Sequence, residues 1–227
     1  MPELHNYQEA RLKAFEDKRI NEVWVYPKTG SRPFPLPASK ITVETNFQRR
    51  DLELFQEKIE TRAGHVFAKA GAWDQRDYDA MTDWVALHLI RNRKSRSEFF
   101  ASPEDFNDRF MSEFEKEVVI SRYRYPNVDV HTSKGDRFLI TSDHPVVELQ
   151  VPGESDYVRC FAKSPEIVVL FSSRRQPPQF EIAIEDFFNA MVYAIADESV
   201  FSHRNDVSLD KLQRTAETFQ MFPTVGL

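Results

Sequence analysis

Few residues of this chain could do chemistry, and the most suggestive are Glu60, His88, Arg91 and Asp143. Glu60 lies in a stretch where Leu52, Phe55, Ile59, Ala63, Val66 and Ala70 recur at helical spacing. With Ile59 at the centre of that stripe, Glu57 falls on the opposite side of the helix. Glu60 sits near the line of Ala63 and Phe67, at the edge of the buried face. His88 and Arg91 are three apart on the next periodic stretch and face nearly the same way. If the two stretches pair, Glu60 can reach Arg91 or His88. The result is either a structural ion pair at a helix interface or a site. In a site, the carboxylate would act as base or hold a divalent metal, and Arg91, helped by His88, would stabilise developing negative charge.

Asp143 belongs to Phe138-Leu-Ile-Thr-Ser-Asp-His-Pro-Val-Val147, which reads as strand, turn, strand. Ser142 and Asp143 can bond backbone amides in such a turn, and Pro145 holds His144 extended. At a sheet end Asp143 could be a base or a metal ligand; its plainer role is to build the turn. Four binding candidates stand beside these: His5 near the start, Arg96 at the end of the basic run from Arg91, Ser142 in the turn, and Asn189 inside an apolar helix. A buried asparagine needs partners, so Asn189 is either a structural clamp or a site residue. Arg122 and Arg124 alternate on an expected strand and would share one face, lining a groove with Arg96.

The elements that must position these groups follow from periodicity and punctuation. A short helix is expected over Leu4–Ala14, a strand over Val23–Tyr26 closed by Pro27-Lys-Thr-Gly30, and a short strand over Ile41–Val43. Pro33, Pro35 and Pro37 exclude a central strand or a helix between them. Gly71 stops the Glu60 helix, Asp74 caps the next, and Pro103 opens a third that carries Phe106, Phe110 and Phe114 and ends near Glu117. The period then changes. Val118–Tyr123, Phe138–Thr141, Val146–Gln150, Tyr157–Phe161 and Ile167–Phe171 read as strands of an antiparallel sheet. Ile184–Phe201 reads as a largely buried helix with Phe188, Val192 and Ile195 in the core, and Val207–Phe222 as an amphipathic one.

Composition bounds the possibilities. With 41% hydrophobic residues and 19 phenylalanines among 227, the chain can bury a sizeable core. A net charge of −6 argues against coating nucleic acid over a broad face, although a local basic groove stays open. Cys160 is the only cysteine, which excludes an intrachain disulfide or a cysteine-based zinc site and points to a reducing, cytoplasmic setting. Apolar runs such as Ile167–Phe171 are far short of a membrane span. Walker, nucleophile-elbow, zincin and dinucleotide signatures are absent.

These pieces, in this order, resemble a bacterial family, domain-of-unknown-function family 4238. The resemblance runs through His5-Asn-Tyr7, Leu12 and Phe15, then Val23-Trp-Val-Tyr-Pro-Lys28, Ile59-Glu60 and Leu87-His-Leu-Ile-Arg91. It continues through Ser142-Asp-His-Pro-Val146, Phe161-Ala-Lys-Ser-Pro165 and Asn189–Phe201. The chain departs from the family at Gln8 and Ala162, which stand where proline is usual. The resemblance implies that His5, Glu60, Arg91 and Asp143 form one polar cluster joining the two halves.

The expectation is one α+β domain over residues 1–227, a helical layer in the N-terminal half packed on a mainly antiparallel sheet with a buried late helix. Two functions fit. One is a hydrolase acting on a phosphate-containing substrate, nucleic acid or nucleotide. The other is a non-catalytic binding or effector module, as in defence against phage. A hydrated, concave cluster would favour the enzyme, and a dry, fully paired one the module.

Overall fold

Apolar residues three and four apart coil the chain after Arg49 into its first long helix, and the rest of the architecture follows from where such runs stop. The computed structural model describes residues 8–41, 49–69, 72–91, 100–150, 157–173 and 182–219. They form an α+β protein whose residues group into two compact units. One unit comprises Met1–Arg11 with Ser39–Tyr123, the other Leu12–Ala38 with Arg124–Leu227. No described helix is long and apolar enough to cross a membrane.

The first unit is helical. The short α1 (Gln8–Lys13) and α2 (Ala38–Ile41) lie where the chain passes between units, and α3 (Arg50–Ala68), α4 (Gln75–Arg91) and α5 (Pro103–Arg124) follow. Asp74 starts α4 as expected, its Oδ1 accepting from the amides of Arg76 and Asp77 at 2.8 and 3.0 Å. Helix α4 is buried on almost every side from Ala80 to His88. Phe55 of α3 meets Phe110 and Phe114 of α5 edge-on, and Phe67 meets Trp84 of α4 in the same way.

Two expectations fail in this unit. Val118–Tyr123 is the last part of α5, not a strand. β-branched residues are only weakly unfavourable in a helix, and no Gly or Pro breaks the run before Pro126, so the helix continues to the second residue before that proline. Arg122 and Arg124 therefore diverge around a helix instead of sharing a sheet face. Ile41 ends α2 and starts no strand; residues 42 and 43, like Gly71, lie outside the described residues.

The second unit holds two four-stranded antiparallel sheets. The first has the order β2–β1–β8–β4, from β1 (Val23–Pro27), β2 (Phe34–Leu36), β4 (Thr141–Ser142) and β8 (Ser199–Ser202). Gly30, at φ 81°, makes the turn after β1. Pro35 is accommodated because β2 is an edge. The other sheet has the order β3–β7–β6–β5, from β3 (Asn127–Thr132), β5 (Val147–Gln150), β6 (Tyr157–Ser164) and β7 (Ile167–Ser172). Both faces of β7 are buried, which is why it reads as one apolar run. Helices α6 (Ile184–Ile195) and α7 (Leu209–Thr218) complete the unit, and Ser208 caps α7 through the amide of Lys211.

The late helix is shorter than Ile184–Phe201. It ends at Ile195, and Ser199–Ser202 pairs with β1 and β4 as a strand. Phe188 and Val192 are core residues, but Ile195, in the last turn, is only partly buried. Strand β4 is also shorter than expected. Phe138 to Ile140 run beside α6 outside the ladder, with Asn189 taking the Phe138 carbonyl and the Ile140 amide.

Candidate functional site

Packing α3 against α4 brings Glu60 and Arg91 together. Arg91 Nη1 donates to Glu60 Oε1 at 2.8 Å, with the carboxylate side chain 5% and the guanidinium side chain 15% exposed. Burial makes each charge depend on the other, since either alone in the interface would be poorly solvated. His88, one turn before Arg91, is buried with its ring 4.3 Å from that of Trp84. Glu57 is exposed on the far side of α3.

A second ionic group in this unit was not singled out from the sequence. Asp83 of α4 accepts from Arg62 of α3 at 2.9 Å through Oδ2 and lies 3.4 Å from Arg122 of α5 through Oδ1. The carboxylate is largely buried, while the Arg62 and Arg122 side chains remain 53% and 50% exposed. Tyr123, beside Arg122, is 87% exposed. The signal in the sequence was a single acid within the mostly apolar run Ala80–Leu87.

In the second unit Asp143 is a clamp on the chain that leaves α6. Its Oδ1 accepts from the amide of Asp197 at 3.2 Å, and its Oδ2 from those of Glu198 and Ser199 at 2.8 and 3.4 Å. These bonds turn the backbone out of the helix and into β8. Ser142 is fully buried; its Oγ donates to the carbonyl of His144 and accepts from the His144 amide. His144, also buried, places Nε2 2.8 Å from Asp197 Oδ2. Lys28 reaches the same turn, donating from Nζ to the Ala196 carbonyl at 2.6 Å and lying 5.0 Å from the centre of the Tyr193 ring. Burial lowers the Lys28 pKa, against the pull of Asp143 and Asp197.

Asn189 is a clamp of the same kind. It accepts from the Ile140 amide at 2.9 Å and donates to the Phe138 carbonyl at 2.8 Å. Both ends of its amide serve backbone that has no strand partner there. Nearby, His131 of β3 lies 3.2 Å from Glu185 in the first turn of α6. Burial raises the Glu185 pKa, but the helix-start amide, His131 and Ser133 outweigh it and hold the carboxyl below its ordinary value.

Thus Glu60 and Arg91 form one pair, with His88 buried one turn away on α4. Asp143 and Ser142 build one turn, and Asn189 holds the segment leading into it. His5 and Arg96 lie outside the described residues. Among the described residues no three His, Cys, Asp or Glu side chains are grouped as a metal ion would require. No family model, curated protein or solved structure matches the chain.

Proposed function

We propose that this chain is a binding module for a phosphate-containing ligand, nucleic acid or nucleotide, with Glu60 and Asp143 as structural residues. One contrast carries the reading. Glu60 is engaged by Arg91 and Asp143 by three backbone amides, whereas Arg62 and Arg122 gather at Asp83 with half of each side chain in solvent. Two guanidiniums on one carboxylate leave a net positive charge and outward N–H donors suited to phosphate oxygens. Tyr123, in the same turn of α5, is exposed and adds an aromatic ring to this end of the helix. A confined patch of this kind is compatible with a net charge of −6.

Fluorescence anisotropy with a labelled single-stranded oligonucleotide and a labelled nucleotide tests it. The expected result is binding that weakens with added salt. Arg122→Ala should abolish it, and folded Asp143→Asn should retain it. Absence of binding at low salt would overturn the module. Cleavage of the oligonucleotide by the parent, lost in folded Asp143→Asn, would replace it with the hydrolase.

A further inference from the structure

The strand Asn127–Thr132 is a longer and less protected edge than either edge of the other sheet. Edge strand β2 carries Pro35, and β4 is two residues long. Short strands and prolines blunt an edge, as do bulges and lysines. β3 has six residues, Asn-Val-Asp-Val-His-Thr, with no proline, lysine or arginine and an unbroken register on β7.

The phase of that ladder decides which residues face outward. The Ser133 amide donates to the Glu166 carbonyl at 2.7 Å, one step beyond the Thr132–Ile167 pair. Hydrogen-bonded pairs alternate along an antiparallel ladder, so Asn127, Asp129 and His131 bond inward to β7. The N–H and C=O groups of Val128, Val130 and Thr132 point away from the sheet. Among the described residues no backbone hydrogen bond meets them. The Val130 side chain is 56% exposed. Asp129 Oδ2 is buried without a hydrogen-bond partner, and His131 uses Nε2 toward Glu185.

We propose that β3 pairs with β3 of a second copy of this chain, antiparallel about a two-fold axis at Val130, joining two sheets edge to edge. At that centre Val130 opposes Val130, and Val128 opposes Thr132. The outward residues of both copies then exchange their backbone hydrogen bonds. Asp129 opposes His131 of the second copy in the closely spaced pairs, where a carboxylate and an imidazole can meet. Other registers are worse: centring on Asp129 sets two carboxylates against each other, and centring on His131 leaves Val128 outside the ladder. An isologous contact of this kind closes at two copies.

Sedimentation of the full chain over a range of concentrations tests the pairing, with backbone amide exchange as a second readout. The expected result is a concentration-dependent dimer whose formation slows exchange at Val128, Val130 and Thr132. Val130→Lys should raise its dissociation constant by about tenfold or more, because two ammonium groups then meet on the axis. Val119→Lys, at an exposed position of α5, should leave it unchanged. A chain that stays monomeric overturns the proposal, even if a foreign extended peptide proves able to occupy the edge. So does a dimer that tolerates Val130→Lys and leaves those amides exchanging as in the monomer.

Discussion

Glu60 in the helical unit and Asp143 in the sheet unit are carboxylates held in opposite ways. Glu60 is buried and faces a charged partner, Arg91, from another helix; Asp143 is partly exposed and accepts from three backbone amides. The first arrangement is all-or-none, because losing either partner strands a charge in an apolar interface. The second is graded, since several neutral donors share one acceptor and water reaches the turn. An acid near the core is therefore no guide to chemistry until its partner is known.

The largest expected effect tests the first half of that contrast. Glu60→Ala should cost about 3 kcal/mol in denaturant unfolding through the stranded Arg91, whereas Glu57→Ala should stay within about 0.5 kcal/mol. Combining Glu60→Leu with Arg91→Met should recover most of the loss. A double variant no better than the single would mean the loss comes from somewhere other than a stranded charge.

Asp143 should give the next largest effect. Asp143→Ala should cost about 1–2 kcal/mol, as the loss of a capping side chain does. Asp143→Asn should fall between, since its amide can accept on one side only and would turn an N–H toward a donor on the other. Thermal melts placing Asn level with the parent would show that one oxygen is enough to hold the turn.

A third acid marks the local limit of the comparison. Asp17 is held by Arg19 only two residues away and by a longer bond from Trp24. The Arg19 side chain and its amide, opposed by burial, keep the Asp17 carboxyl well below the usual aspartate range. A folded-state pKa below the unfolded value contributes stability that is complete above about pH 4 and fades as pH falls further. Asp17→Asn should therefore flatten the acid side of the stability–pH curve slightly while leaving stability at pH 7 a little lower. An unchanged acid side would remove Asp17 from the titration.

The sequence by itself determined what depends on near neighbours. The periods of α3 and α4, the Asp74 cap, the Gly30 turn and the β-favouring runs of β6 and β7 follow from side chains a few residues apart, and the structure keeps them. The placement of Glu60 on the inner edge of α3 was legible for the same reason. Tertiary structure decided the rest. Val118–Tyr123 and Ser199–Phe201 have similar β-favouring composition, yet one continues a helix and the other joins a sheet. What separates them is long-range: Asp143 takes the amides that would continue α6, and β1 supplies a ladder for β8. β3 escaped notice because its polar residues face α6 through His131 and Glu185, so its pattern lacks a plain apolar face. The partners of Asp83 and Asp143 lie tens of residues away. Spacing along the chain carries no record of which distant groups folding will bring to a carboxylate, and that partner decides what it can do.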